Sequence, residues 1–151
     1  MTRPARIPFE TTAHVRDHCL CLAAQGAARM LARRFDEALR PVGLTSGQFS
    51  LLMSLNRPRP PSMGAVADLL AMDRTTLTAN LKPLQRRGLI DAVADPADRR
   101  GRLLSLTDAG HALLREALPA WRRTQKAVER TAAAASGVEP LRAGLRALTR
   151  D

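Results

Sequence analysis

At Arg57-Pro58-Arg59-Pro60-Pro61 the chain meets a stretch that no helix can cross. Each proline removes a backbone donor and pushes the residue before it out of the helical region. Whatever lies upstream must close off as one set of elements, and whatever lies downstream must begin afresh. Upstream, residues 1–12 carry Pro4 and Pro8 without periodicity and read as a loose arm. From His14 onward Val15, Cys19, Leu22, Met30 and Phe35 recur at helical spacing and predict one long helix, stopped by Pro41 and Gly43. Thr45 and Gln48 read as a capping box for a second helix that buries Phe49, Leu52, Met53 and Leu55. Downstream, Ser62 caps a short third helix with Met63, Val66 and Leu70 facing inward.

The segment Met72-Asp73-Arg74-Thr75-Thr76-Leu77-Thr78-Ala79-Asn80-Leu81-Lys82 carries the most chemistry. Asp73 is a good N-cap, and Leu77, Leu81 and Leu84 form one narrow apolar stripe. The remaining positions are short, polar or cationic. Threonine is a mediocre helix former, so three of them on an exposed face weigh against an ordinary solvated surface. Hydroxyls, methyls, an amide and a guanidinium fork match the groups that read base edges in the major groove of DNA. Pro83 stands inside this helix and predicts a kink near the carbonyl of Ala79, and Gly88 closes it. Leu89–Val93 and Leu103–Leu106 then read as two short strands around the polar loop Asp95-Pro96-Ala97-Asp98-Arg99-Arg100-Gly101-Arg102, a hairpin with a cationic tip.

Thr107 opens a long alanine-rich helix running towards Ala135, which Pro119 is expected to bend. Ser136 to Glu139 reads as a further capping box, and Val138, Leu141, Leu145 and Leu148 form an apolar seam narrow enough for a partner helix. The net charge of +10 on 151 residues suits a polyanionic partner, although the charge is spread too evenly to mark a face. Aromatic residues are 3% of the chain, with no tyrosine, which excludes binding on stacked aromatic platforms. No apolar run is long enough for a membrane span, and no apolar leader follows Met1, so a cytoplasmic protein is expected. No nucleophile–base motif or glycine-rich phosphate loop is present, so an enzyme is not expected and no cofactor is assigned.

Three helices, a polar-faced helix, a cationic hairpin and further helices make a mostly α chain with a small β-hairpin wing. This is a winged helix-turn-helix with helices at both ends available for dimerisation. In the order and spacing of Gly43-Leu44-Thr45-Ser46-Gly47-Gln48-Phe49, residues 72–78, Gln85–Ile90, Asp95–Arg100 and Leu104–Gly110, the sequence resembles the MarR family of bacterial transcriptional regulators. The resemblance implies a homodimeric, sequence-specific regulator of double-stranded DNA, usually a repressor on a pseudo-palindromic operator. Residues 1–40 would form the arm and first dimerisation helix, 41–107 the DNA-binding lobe and 108–151 the C-terminal dimerisation helices. On the matching positions, Arg74, Thr75, Thr76, Thr78, Asn80 and Lys82 would touch bases or phosphates. Arg100 would enter the minor groove with Asp98 orienting it, while Arg99 and Arg102 would add phosphate contacts. Pro83 departs from the family pattern. The alternative is a non-specific architectural DNA-binding protein, against which the threonine-rich helix argues.

The resemblance also implies release by a small ligand or by oxidation. Cys19 and Cys21 fall where some relatives carry a peroxide-sensing thiol and are the candidate redox sensors. Placed i and i+2 on one helix, they would point about 200° apart and could not bond to each other. A small aromatic effector in the crevice between the dimer helices and the DNA-binding lobe is the other expectation. His14 and His18 could share a metal with Asp17 or His111, but no dense cluster completes a site, so none is assigned.

Overall fold

The computed structural model describes residues 6–149. The element order is α1 (Phe9–His18), α2 (Leu20–Leu39), a 3-10 turn (Arg40–Val42), α3 (Ser46–Leu55), α4 (Met63–Leu69), α5 (Arg74–Arg86), β1 (Ile90–Asp95), β2 (Asp98–Leu106), α6 (Asp108–Ala135) and α7 (Val138–Ala147). The arm expected over residues 1–12 is helical from Phe9, and its first five residues lie outside the described ones. The single long helix expected from His14 is two. Cys19 interrupts it in an extended conformation, and its sulfur accepts the N–H of Leu22 at 3.4 Å as the N-cap of α2.

Local capping sets most helix starts. Thr45 and Gln48 form the reciprocal capping box, Ser62 accepts from the Ala65 N–H, and Asp73 accepts from the Thr76 N–H. A second cap crosses elements, with Asp36 of α2 accepting the Ser46 N–H at 2.6 Å and so fixing the angle between α2 and α3. The expected box at Ser136–Glu139 is absent: Gly137 is the N-cap of α7 and offers no side chain, and Glu139 pairs with Arg142 instead. Arg142 also reaches Glu129, which ties α7 to α6.

The core is drawn from the middle of the chain. Leu39, Leu44, Phe49, Leu51, Leu52, Leu55, Val66, Leu77, Leu81, Leu84, Ile90, Leu104 and Leu114 are buried together. Trp121 stacks on Phe49 with centroids 5.9 Å apart. Met53, expected inside, is exposed, and Leu51 takes its place. The proline run lies against the hairpin. Pro61 is buried, its carbonyl accepts the Leu104 N–H at 2.9 Å, and Ser62 bridges Leu103. In contrast α1 and α7 bury no residue and α2 buries only Leu39. Phe9, Leu20, Met30, Leu141, Leu145 and Leu148 stand exposed, Leu148 at 67%.

The turn between α4 and α5 ends α4 in a Schellman motif, with Met72 N–H on the Ala67 carbonyl and Ala71 N–H on that of Asp68. The left-handed residue of that motif is usually glycine, but here Ala71 holds it at φ 50°. Its Cβ costs about 1–2 kcal/mol there, offset by the extra freedom glycine would bring to the unfolded chain. Ala71→Gly is therefore expected to stabilise by about 0.5 kcal/mol, read as a higher urea midpoint with an unchanged slope. A lower midpoint would mean that the Ala71 methyl contributes packing that outweighs the backbone strain.

Candidate nucleic-acid interface

The helix α5 is positioned from three sides. Leu77, Leu81 and Leu84 sink into the core. Asp73 pins the first turn, accepting the Thr76 N–H at 2.8 Å and the Thr76 hydroxyl at 2.6 Å. These bonds, led by the Thr76 hydroxyl, hold the Asp73 carboxyl below the usual aspartate range. The cap therefore keeps full strength at neutral pH and is lost only as the pH falls through that lowered value. Gly88 closes the far end with φ 68°, its N–H on Gln85 and the Leu89 N–H on Leu84. The helix runs past Pro83 to Arg86, so Pro83 does not end it, and its ring lines a small cavity beside α3 with Asn80, Thr45 and Gln48.

Residues on a helix advance by about 100° each, so the direction opposite the leucine stripe belongs to Thr75, Ala79, Lys82 and Arg86. All four are exposed. Of the expected contact residues, Thr75 and Lys82 lie on this outer ridge. Arg74 and Thr78 lie on the flank towards the hairpin, where Thr78 and Gln85 line a cavity with Arg102 and Leu104. Thr76 and Asn80 lie on the flank towards α3. Ala79 and Arg86 escaped the sequence reading, which weighed polar residue types and stopped at Lys82. Extending the helical wheel to Gly88 would have found both.

The hairpin is longer than its sequence suggested. Its strands pair from Ile90 with Leu106 to Ala94 with Arg102, and only Pro96 and Ala97 remain as the turn. Asp95 then pairs with Asp98, so one step on β1 faces four on β2, and Arg99, Arg100 and Gly101 bulge out unpaired. Two aspartates shape this tip: Asp95 accepts the Ala97 N–H at 2.9 Å and Asp98 the Arg100 N–H at 3.0 Å. Asp98 thus acts on Arg100 through the main chain. A side chain at Gly101 would press on both aspartates, its Cβ 3.1 Å from the Asp98 carboxylate. Arg99, Arg100 and Arg102 are exposed, and among the described residues none pairs with a carboxylate.

The other candidates lie apart from this surface. Cys19 is half-buried at the α1–α2 break, and Cys21 is exposed and accepts from Gln25. Cys19 stands outside α2 as its N-cap, so the two cysteines are not on one helix as expected; the Cys19 sulfur faces the Leu22 N–H and the Cys21 sulfur faces Gln25. His14 and His18 stack at 4.2 Å, with His18 Nδ1 on the His14 carbonyl, while Asp17 pairs with Arg16. Among the described residues no group of three or more potential metal ligands forms. No described helix is long and apolar enough to cross a membrane.

A short helix, a tight turn, a polar-ridged helix docked on the core and a cationic hairpin at its side define a winged helix-turn-helix DNA-binding protein. The sequence profile of the MarR family matches residues 42–101. The transcriptional repressor NicR of Pseudomonas putida is 31% identical over 81% of this chain and 77% of its own. The transcriptional activatory protein BadR of Rhodopseudomonas palustris is 35% identical, over 55% of this chain and about half (49%) of its own length. Among solved structures, the transcriptional regulator MosR of Mycobacterium tuberculosis in complex with DNA superposes with a TM-score of 0.77 at 35% identity, over 87% of this chain and 94% of that one. The chain belongs to the MarR family of winged helix-turn-helix transcriptional regulators.

Proposed function

We propose that this regulator binds a pseudo-palindromic operator in double-stranded DNA as a homodimer and represses the adjacent genes until a small ligand or thiol oxidation releases it. One observation carries the reading: the outer ridge of α5 and the exposed arginines of the wing present hydrogen-bonding groups and positive charge beside each other. The helix would lie in the major groove with Arg74, Thr75, Thr76, Thr78, Asn80 and Lys82 on bases or phosphates. Arg100 would enter the minor groove from a tip shaped by Asp98, while Arg99 and Arg102 hold phosphates. The DNA-bound structure of the Mycobacterium tuberculosis relative supports this mode of use.

The uncovered apolar faces of α1, α2 and α7 support dimerisation through residues 1–40 and 108–151, with 41–107 as the reading lobe. Two adjoining cavities of about 350 and 180 Å³, sharing Phe49, Ser50 and Trp121, lie where α3 meets α6, the smaller one also walled by α2. The apolar walls of the larger one suit a small aromatic effector, and Ser46, Ser50 and Gln125 of the smaller one offer it polar groups. Oxidation is the second route: a peroxide would take two electrons and two protons from cysteine thiols of two subunits, leaving a disulfide, one water, and an alcohol or a second water. The work is binding rather than catalysis, carried out in the cytoplasm where operator DNA lies, with no metal or cofactor.

Titration of the pure protein against DNA upstream of its own gene, with random duplex as competitor, tests this. Selective occupancy of a two-fold site is expected, lost on adding peroxide and restored by a thiol reductant if the cysteines are the sensor. Equal binding to every duplex would replace the regulator reading with that of an architectural protein.

A further inference from the structure

Three threonines face outward on α5, and they are not chemically alike. The Thr76 hydroxyl donates to Asp73 Oδ2 at 2.6 Å, so the carboxylate that caps the helix also holds this side chain. The Thr78 hydroxyl donates to the Arg74 carbonyl at 2.7 Å. A hydroxyl has one proton to give, and both of these are spent inside the helix. Fixing Oγ1 on a β-branched side chain also fixes the γ-methyl attached to the same carbon. The Thr75 side chain makes no hydrogen bond among the described residues and keeps its proton. Ala79, between the two flanks on the outer ridge, is a further bare methyl. In the major groove the one base-pair feature that answers a methyl is the 5-methyl of thymine.

Resting on the DNA-reading role proposed above, we infer that Thr76 and Thr78 recognise thymine through methyl–methyl contact. Of the three threonines, Thr75 alone is left to read by donating a hydrogen bond. The helix then carries one methyl-reading threonine on each flank, beside the donors Arg74 and Asn80, and between them a ridge with the donors Thr75, Lys82 and Arg86. Thymine at the positions facing those flanks is specified by burial of its methyl group, a signal that any base lacking a 5-methyl fails to supply.

The test uses a duplex that the full-length protein itself selects from a random-sequence pool, synthesised once with thymine and once with uracil. Uracil keeps every hydrogen-bonding group of thymine and lacks only the 5-methyl. Wild type is expected to bind the uracil duplex more weakly, by about fourfold for each thymine methyl that Thr76 or Thr78 covers, the worth of one buried methyl group. Thr76→Ser and Thr78→Ser keep the internal hydrogen bonds and lose the methyl. Each should weaken binding to the thymine duplex and become correspondingly less sensitive to uracil. Thr78→Val, which keeps the methyl and loses the hydroxyl, should keep the full uracil penalty. The inference is overturned if uracil has no effect, if the serine variants retain the full uracil penalty, or if Thr78→Val weakens binding while Thr78→Ser does not. Failure of the wild type to enrich any sequence from the pool would instead overturn the sequence-reading role, and with it this inference, before any variant is made.

Discussion

Alanine in place of Gly110 is expected to lower the stability of the fold by about 3 kcal/mol, the upper end for a forced overpacking. Gly110 lies in the first turn of α6, where its N–H donates to the Thr107 hydroxyl. That hydroxyl donates in turn to the Gly88 carbonyl at 2.6 Å, and the Thr107 N–H to the Leu89 carbonyl at 3.1 Å. The start of α6 is thereby clamped onto the corner between α5 and β1. A Cβ on Gly110 would stand 2.3 Å from the Leu89 carbonyl oxygen, with the Leu106 side chain 3.2 Å away. Neither a backbone carbonyl engaged in that clamp nor a helix capped on it can move aside cheaply. A fall of about 10 °C in the thermal midpoint is expected for a chain of this length. Gly47→Ala in α3 is the control, since its Cβ would meet nothing within 4 Å, and it should gain about 0.5 kcal/mol. A Gly110→Ala protein as stable as wild type would mean that α6 can shift off the corner without loss.

Arg100→Ala should leave stability unchanged and weaken operator binding by about tenfold to a hundredfold, or roughly 1.4–2.8 kcal/mol. The side chain is exposed and unpaired among the described residues, so the folded protein loses nothing when it goes. Its backbone N–H keeps its bond to Asp98, and the tip keeps its shape. The weakening then belongs to the side chain's hold on DNA. Fluorescence anisotropy at fixed salt measures it, with the unfolding midpoint as the check on folding. Equal affinity of wild type and variant would remove the wing from the binding mechanism and leave α5 as the reader.

The caps at Thr45, Ser62 and Asp73 were legible in the sequence because a cap is decided by four consecutive residues. The Leu77–Leu81–Leu84 stripe was legible because a single helix face must meet the core. The break at Cys19 was not, since no proline or glycine marks it and a cysteine sulfur makes the cap. The reach of the hairpin was not either: a strand pattern rich in arginine reads as loop, while the pairing of Ala94 with Arg102 depends on the bulge and its two aspartates. At the candidate interface the residue types were readable and their hydrogen-bonding states were not. Thr75, Thr76 and Thr78 look equivalent in sequence, and only the folded helix separates a free hydroxyl from two that are satisfied internally.

The clamp between α6 and the α5–β1 corner has a further consequence, one of leverage. At about 1.5 Å per residue, the 28 residues of α6 make a rod roughly 40 Å long, fixed at one end to the corner between α5 and β1. A tilt of that rod by about 5° moves its far end by about 3.5 Å, close to the rise of one base-pair step. A molecule lodged against Trp121, more than three turns along the rod, would not have to touch the DNA-facing surface to disturb it. A shift of α6 against α3 near Trp121 would therefore be carried along the helix itself to the α5–β1 corner.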